Sequence, residues 1–145
     1  MMYHTLKHGV DPEEFSRVIE IAMSKNADIL LVSLNSTKVI NDRLDEMLGR
    51  GFAKRLFEEH EVEVAVPGAR PKTFHLASIS SCTAFKKGSV VLPWVALSTV
   101  HKAMEKFPTS DIFFIANNGP GDAQRQRGID ELTQYLSGHR ASKAV

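Results

Sequence analysis

Three apolar stretches in this chain each run into a short polar turn and then into a helical pattern. Ile29-Leu30-Leu31-Val32-Ser33-Leu34 leads into Asn35-Ser36-Thr37. Val90-Val91-Leu92, extended by Trp94-Val95-Ala96-Leu97, leads into Ser98-Thr99. Ile112-Phe113-Phe114-Ile115-Ala116 leads into Asn117-Asn118-Gly119-Pro120-Gly121-Asp122. A short run that is apolar at every position, without alternation, reads as a strand covered on both faces. Strands of that kind alternating with helices build a parallel sheet between helical layers. In such a sheet the turns that follow the strands gather at the carboxyl edge, where ligands usually bind.

The helices between these strands carry their own signals. Asp11-Pro12-Glu13-Glu14 supplies an N-cap, a proline at the first helical position and a glutamate three residues after the cap. Phe15, Val18, Ile19 and Ala22 then fall on one face, and Lys25-Asn26 closes the helix. A second helix is expected from about Asn41 to Glu59, with Leu44, Met47, Leu48, Phe52 and Leu56 as its buried stripe. Gly49 and Gly51 weaken it by about 1 kcal/mol each relative to alanine. Asp42, Asp45 and Glu46 near its start complement the helix dipole.

Glu61 to Val66 alternates polar and apolar residues, Pro67-Gly68-Ala69-Arg70-Pro71 is a loop, and Lys72 to Ser80 alternates again. This spacing predicts an antiparallel hairpin toward one edge of the sheet, since both strands carry polar faces. Beyond it, a strand reaching about Val95 and a helix from Ser98 to Phe107, N-capped by Ser98, are expected, with Pro108 ending the helix. After the last apolar strand, Ile129, Leu132, Tyr135 and Leu136 mark a helix that Asp122 could cap and Gly128 could interrupt. The order is helix, strand, helix, two hairpin strands, strand, helix, strand, helix. It implies a three-layer α/β fold of the Rossmann-like, doubly wound type, with a mixed, mostly parallel sheet. The expected organisation is one domain over 1–138 and a loose tail over 139–145.

Bulk properties narrow the function classes. With 18 basic and 17 acidic residues, the net charge is +1, which gives no general attraction to nucleic acid or anionic lipid. Cys82 is the one cysteine, so a disulfide within the chain and a C-x-x-C metal site are excluded. The first residues lack the apolar core of a signal peptide, and no apolar run has the length of a membrane span. A cytoplasmic location without membrane association is the expectation. The six histidines fall into no metal-binding spacing, and the sequence names no cofactor.

The candidate ligand-binding residues are those of the three polar turns. Asn35, Ser36 and Thr37 offer an amide and two hydroxyls, with Lys38 beside them. Ser98 opens the helix that carries His101 and Lys102. Asn117, Asn118, Gly119 and Gly121 form the least generic turn: glycines let backbone amides approach a ligand, and a helix start would add unpaired N–H groups. Arg125 and Arg127 flank it. Each turn also has a plain structural reading as a cap or tight turn. The function these residues suggest is binding of a polar or anionic small molecule, such as a nucleotide or phosphorylated metabolite. One alternative is a protein-interaction or self-association module, a homo-oligomer presenting the hairpin from Glu61 to Ser80 as an edge. A weaker alternative is a thiol enzyme built on Cys82, with His75 or Lys86-Lys87 to lower the thiol pKa.

Overall fold

The apolar runs 29–32 and 112–115 lie on strands whose side chains are buried on both faces, as continuous hydrophobicity requires. The computed structural model describes residues 1–5, 12–25, 27–32, 38–65, 67–81, 85–115 and 122–145. Its strands are β1 (Met2–His4), β2 (Asp28–Val32), β3 (Glu61–Val64), β4 (Lys72–Ala77), β5 (Gly88–Pro93), β6 (Asp111–Ile115) and β7 (Lys143–Ala144). They form one sheet in the order β3-β4-β2-β5-β6-β1-β7. Neighbours are parallel throughout except β3 and β4, which pair antiparallel with Val62 opposite Phe74. The hairpin therefore occupies one edge, with β3 outermost.

The helices are α1 (Pro12–Ser24), α2 (Lys38–Leu48), α3 (Phe52–Glu59), α4 (Leu97–Lys106) and α5 (Asp122–Gly138). Alternate strand residues sort into two cores. Ile29, Leu31, Phe74, Val91 and Phe113 meet Phe15 and Ile19 of α1, Leu44 of α2 and Leu56 of α3 on one face. Leu30, Val32, Val90, Leu92 and Phe114 meet Val100 and Ala103 of α4 and Leu132 and Tyr135 of α5 on the other. The result is a three-layer α/β fold, with α1, α2 and α3 against one face and α4 and α5 against the opposite one.

Several elements differ from the sequence-based expectation. The single helix expected over 41–59 is two helices. Gly49 (φ 112°) and Gly51 (φ 84°) take left-handed conformations that end α2 and start α3. Asp45, rather than opening a helix, accepts the Ala53 N–H at 2.9 Å and so caps the start of α3 from within α2. The strand expected to reach Val95 stops at Pro93, because Trp94 turns the chain with φ 56°. Ala96, not Ser98, is the N-cap of α4, and Ser98 lies within its first turn. Gly128 leaves α5 unbroken. The short strands β1 and β7 carry no periodic signal in the sequence; β7 lies beside β1, where the Val145 N–H donates to the His4 carbonyl at 2.9 Å.

The β2–β5 ladder depends on one glycine. Gly88 opens β5 opposite Asp28 with φ 147°, and a Cβ on it would overlap the Asp28 carbonyl. Both a strained backbone and a clash with main chain oppose any side chain there. Gly88→Ala is expected to destabilise the fold by about 3 kcal/mol or more, measured as a fall in the urea midpoint. A midpoint within error of the parent would show that the ladder tolerates a shift at this position.

Candidate functional site

The adjacent strands β2, β5, β6 and β1 all point the same way, so their carboxyl ends share one edge of the sheet. After β1 and β2 the chain continues into α1 and α2 on the first face; after β5 and β6 it continues into α4 and α5 on the second. Two neighbouring pairs, β2 with β5 and β6 with β1, thus send their connections to opposite sides. In open α/β sheets such topological switch points are where ligand crevices form at the carboxyl edge.

Four helices, α1, α2, α4 and α5, begin at this edge, each presenting the positive end of its dipole. Their first turns differ. α1 carries Glu13 and Glu14, and α5 opens on Asp122 in the sequence. The acids of α1 offset its dipole beside the β6/β1 switch point. α2 and α4 carry no acid in the first turn. The β2/β5 crevice is therefore flanked by the two helix starts whose positive potential no first-turn carboxylate cancels. Lys38, the first residue of α2, donates to Asp42 at 2.8 Å, and this bond raises its pKa.

Two further residues mark the edge. Trp94 holds a left-handed backbone between β5 and α4, an uncommon state for a bulky residue. Its N–H donates to the Ile115 carbonyl at 2.9 Å, and its ring stacks on Phe15 of α1 with centroids 5.9 Å apart. Thr5, just past β1, is fully buried; its N–H donates to the Phe114 carbonyl at 3.1 Å, while its Oγ1 has no hydrogen-bond partner among the described residues. At the end of β4, Ser78 Oγ lies 2.6 Å from Ser81 Oγ and 3.2 Å from Ser80 Oγ.

Of the sequence-derived candidates, Ser98 is described: it is exposed, on the first turn of α4 beside the β2/β5 crevice. Asn35, Ser36, Thr37, Asn117, Asn118, Gly119 and Gly121 lie outside the described residues, as does Cys82. The segments holding the first seven begin where β2 and β6 end and finish where α2 and α5 start. Sequence reasoning passed over Thr5 and Trp94. Thr5 follows a strand of three residues, too short to show a period, and the Trp94 conformation has no signature in a residue that rarely adopts it. Among the described residues no three His, Cys, Asp or Glu side chains gather as metal ligands, and no helix is long and apolar enough to cross a membrane.

A second polar cluster ties β7 to the body of the sheet. Ser142 Oγ lies 2.8 Å from both His4 Nδ1 and the Tyr135 hydroxyl, and the Tyr135 hydroxyl donates to the Tyr3 carbonyl at 3.3 Å. His139 packs against the Tyr135 ring at 4.8 Å, with His101 6.2 Å beyond. Burial lowers the His4 pKa; burial and then the neighbouring His101 lower that of His139. Burial raises the Tyr135 pKa, against a smaller opposing effect of its bond to Ser142. Hydrogen bonds among His4, Ser142, Tyr135 and Tyr3, with the His139 ring packed on Tyr135, fasten the segment before β7 to β1 and α5.

No protein-family model matches the chain, and no curated protein matches its sequence.

The His4 environment sets a pH dependence. Its folded pKa lies below the unfolded value, so the unfolded chain takes up the proton first. The stability that this neutral histidine provides is complete above the unfolded pKa of about 6.5 and falls as pH drops from there toward the folded value. A His4→Asn variant should show a shallower loss of stability between about pH 7 and 5 than the parent, read as the difference between their urea midpoints. Parallel pH profiles would remove His4 from the linkage.

Proposed function

We propose that the protein binds a polar or anionic small molecule, such as a nucleotide or phosphorylated metabolite, at the carboxyl edge of its sheet. The observation that carries this reading is the switch of connections from one face to the other between β2 and β5. Ligands of open α/β sheets settle at such points. The helix starts of α2 and α4, free of first-turn acids, favour negative charge in that crevice. Ser98 and the turn residues Asn35, Ser36 and Thr37 would supply donors there. Asn117, Asn118, Gly119 and Gly121 would serve the neighbouring β6/β1 crevice, where the acids of α1 make an anion less welcome. A fully buried Thr5 hydroxyl, unpaired among the described residues, and a left-handed backbone at a bulky Trp94 support a functional edge, since each is costly in an ordinary scaffold position.

Self-association through the hairpin draws less support. β3 is four residues long and carries the exposed Glu61 and Glu63, a short charged edge of the kind that discourages strand addition.

A thermal-shift screen with nucleotides and sugar phosphates identifies the ligand class, because binding to the folded state adds RT ln(1 + [L]/Kd) to stability. Ser98→Asp then separates ligand from scaffold. The new carboxylate in the first turn of α4 should stabilise the free protein by about 0.3–1 kcal/mol, while weakening an anionic hit by about tenfold or more. Asn118→Ala should leave that affinity unchanged. Weakening by Asn118→Ala but not by Ser98→Asp would move the ligand to the β6/β1 crevice, and a flat screen would set the binding reading aside.

A further inference from the structure

The opposite edge of the sheet holds a polar cleft that the carboxyl-edge reading does not use. The first residues of β2, β5 and β6 stand side by side there, with Asp28 opposite Gly88 and Ser89 opposite Asp111. With Arg70 from the β3–β4 loop, Lys87 just before β5 and Thr109 just before β6, they line a cleft of about 300 Å³. That volume is at the lower end of small-molecule sites.

The charges in this cleft are unequally engaged. Asp28 Oδ1 accepts the Thr73 N–H at 3.0 Å. Asp111 faces the Met1 amino group at 3.4 Å, and Lys25 also feels its charge. Both carboxylates thus have protein donors or cations beside them. Arg70 and Lys87, both exposed, make no ion pair among the described residues. Ser89 is 1% exposed, and its Oγ has no hydrogen-bond partner among the described residues. An apolar residue would suit so dry a position better unless the hydroxyl serves some further group.

We propose that this amino-edge cleft is a second ligand site, one that takes a small oxyanion, a phosphate monoester or a carboxylate, against Arg70, Lys87 and Ser89. The division of labour follows from the side chains. A guanidinium presents a planar fork that matches two oxygens of a phosphate or carboxylate, and an ammonium adds a point charge without fixed direction. The Ser89 hydroxyl supplies the remaining donor, and pairing it with a ligand oxygen would recover the cost of burying it unpaired. The two carboxylates, held by their own partners, limit the site to a small anion.

Titration calorimetry on the full chain tests this, with inorganic phosphate and malonate as separate probes and ionic strength held constant with sodium chloride. At least one probe should bind saturably with one site per chain. Arg70→Ala should weaken that binding by about tenfold or more, and Ser89→Ala should weaken it several-fold while melting no lower than the parent, since it removes an unpaired buried hydroxyl. Lys54→Ala, an exposed cation on α3 that does not line the cleft, should leave it unchanged. The proposal is overturned if neither anion binds saturably. It is equally overturned if Arg70→Ala and Ser89→Ala bind as the parent does, or if Ser98→Asp abolishes a binding that Arg70→Ala spares, which would place the anion at the carboxyl edge.

Discussion

The burial of β2 and β5 is the constraint on which the rest of the molecule depends. Ile29, Leu30, Leu31 and Val32 have no solvent exposure, nor have Val90, Val91 and Leu92. Each such side chain gains about 1.5–3 kcal/mol by leaving water, but the backbone that carries it must then find every hydrogen bond inside the protein. Only flanking strands can provide those bonds to a strand covered on both faces, so β2 is held between β4 and β5, and β5 between β2 and β6. Parallel pairing follows, because helices must pass over both faces to cover the apolar rows. Once the centre is parallel, every connecting segment is driven to one of two edges, and whatever chemistry the protein performs is confined to them.

That logic explains what could be read from the sequence. The runs 29–32, 90–92 and 112–115 declare themselves because full burial leaves no polar position to disguise the strand. The hairpin is legible for the opposite reason: Glu61 and Glu63 alternate with Val62 and Val64 because one face of β3 meets water. The misses come where a conformation rather than a composition decides. Gly49 and Gly51 could be tolerated inside a helix or could end it, and only the packing of α3 through Phe52 and Leu56 selects the break. β1 and β7 are too short for a period and exist because the outer side of β6 needs a partner. Trp94 takes a backbone state that its side chain disfavours, so no propensity could forecast it. For the candidate site, the polar turns after the apolar runs point to the carboxyl edge, and the parallel order of β2, β5 and β6 brings the ends of those runs side by side. The sequence does not rank the crevices, because that ranking depends on which helix starts flank which strand, and strand order is not written in any local segment.

The two edges then differ in kind. The carboxyl edge gathers backbone potential from helix starts, a diffuse attraction set by architecture. The amino edge gathers side-chain charge, with Arg70 and Lys87 placed by loops near strand starts. A ligand held by the first is oriented by N–H groups that cannot be mutated away, whereas one held by the second depends on individual residues. The first is the more permanent property of the fold and the second the more adjustable.

The pairing of β1 has a kinetic corollary. Met2 lies opposite Ile112, and Tyr3 opposite both Phe113 and Lys143. β1 therefore finds its neighbours only more than a hundred residues further along the sequence. Closing so long a loop is entropically costly, and contacts between distant segments slow folding. The centre of the sheet, β4, β2 and β5, can assemble from a continuous middle portion of the chain. The β6–β1–β7 side instead pairs segments far apart in sequence, so its contacts carry the larger entropic cost of closure.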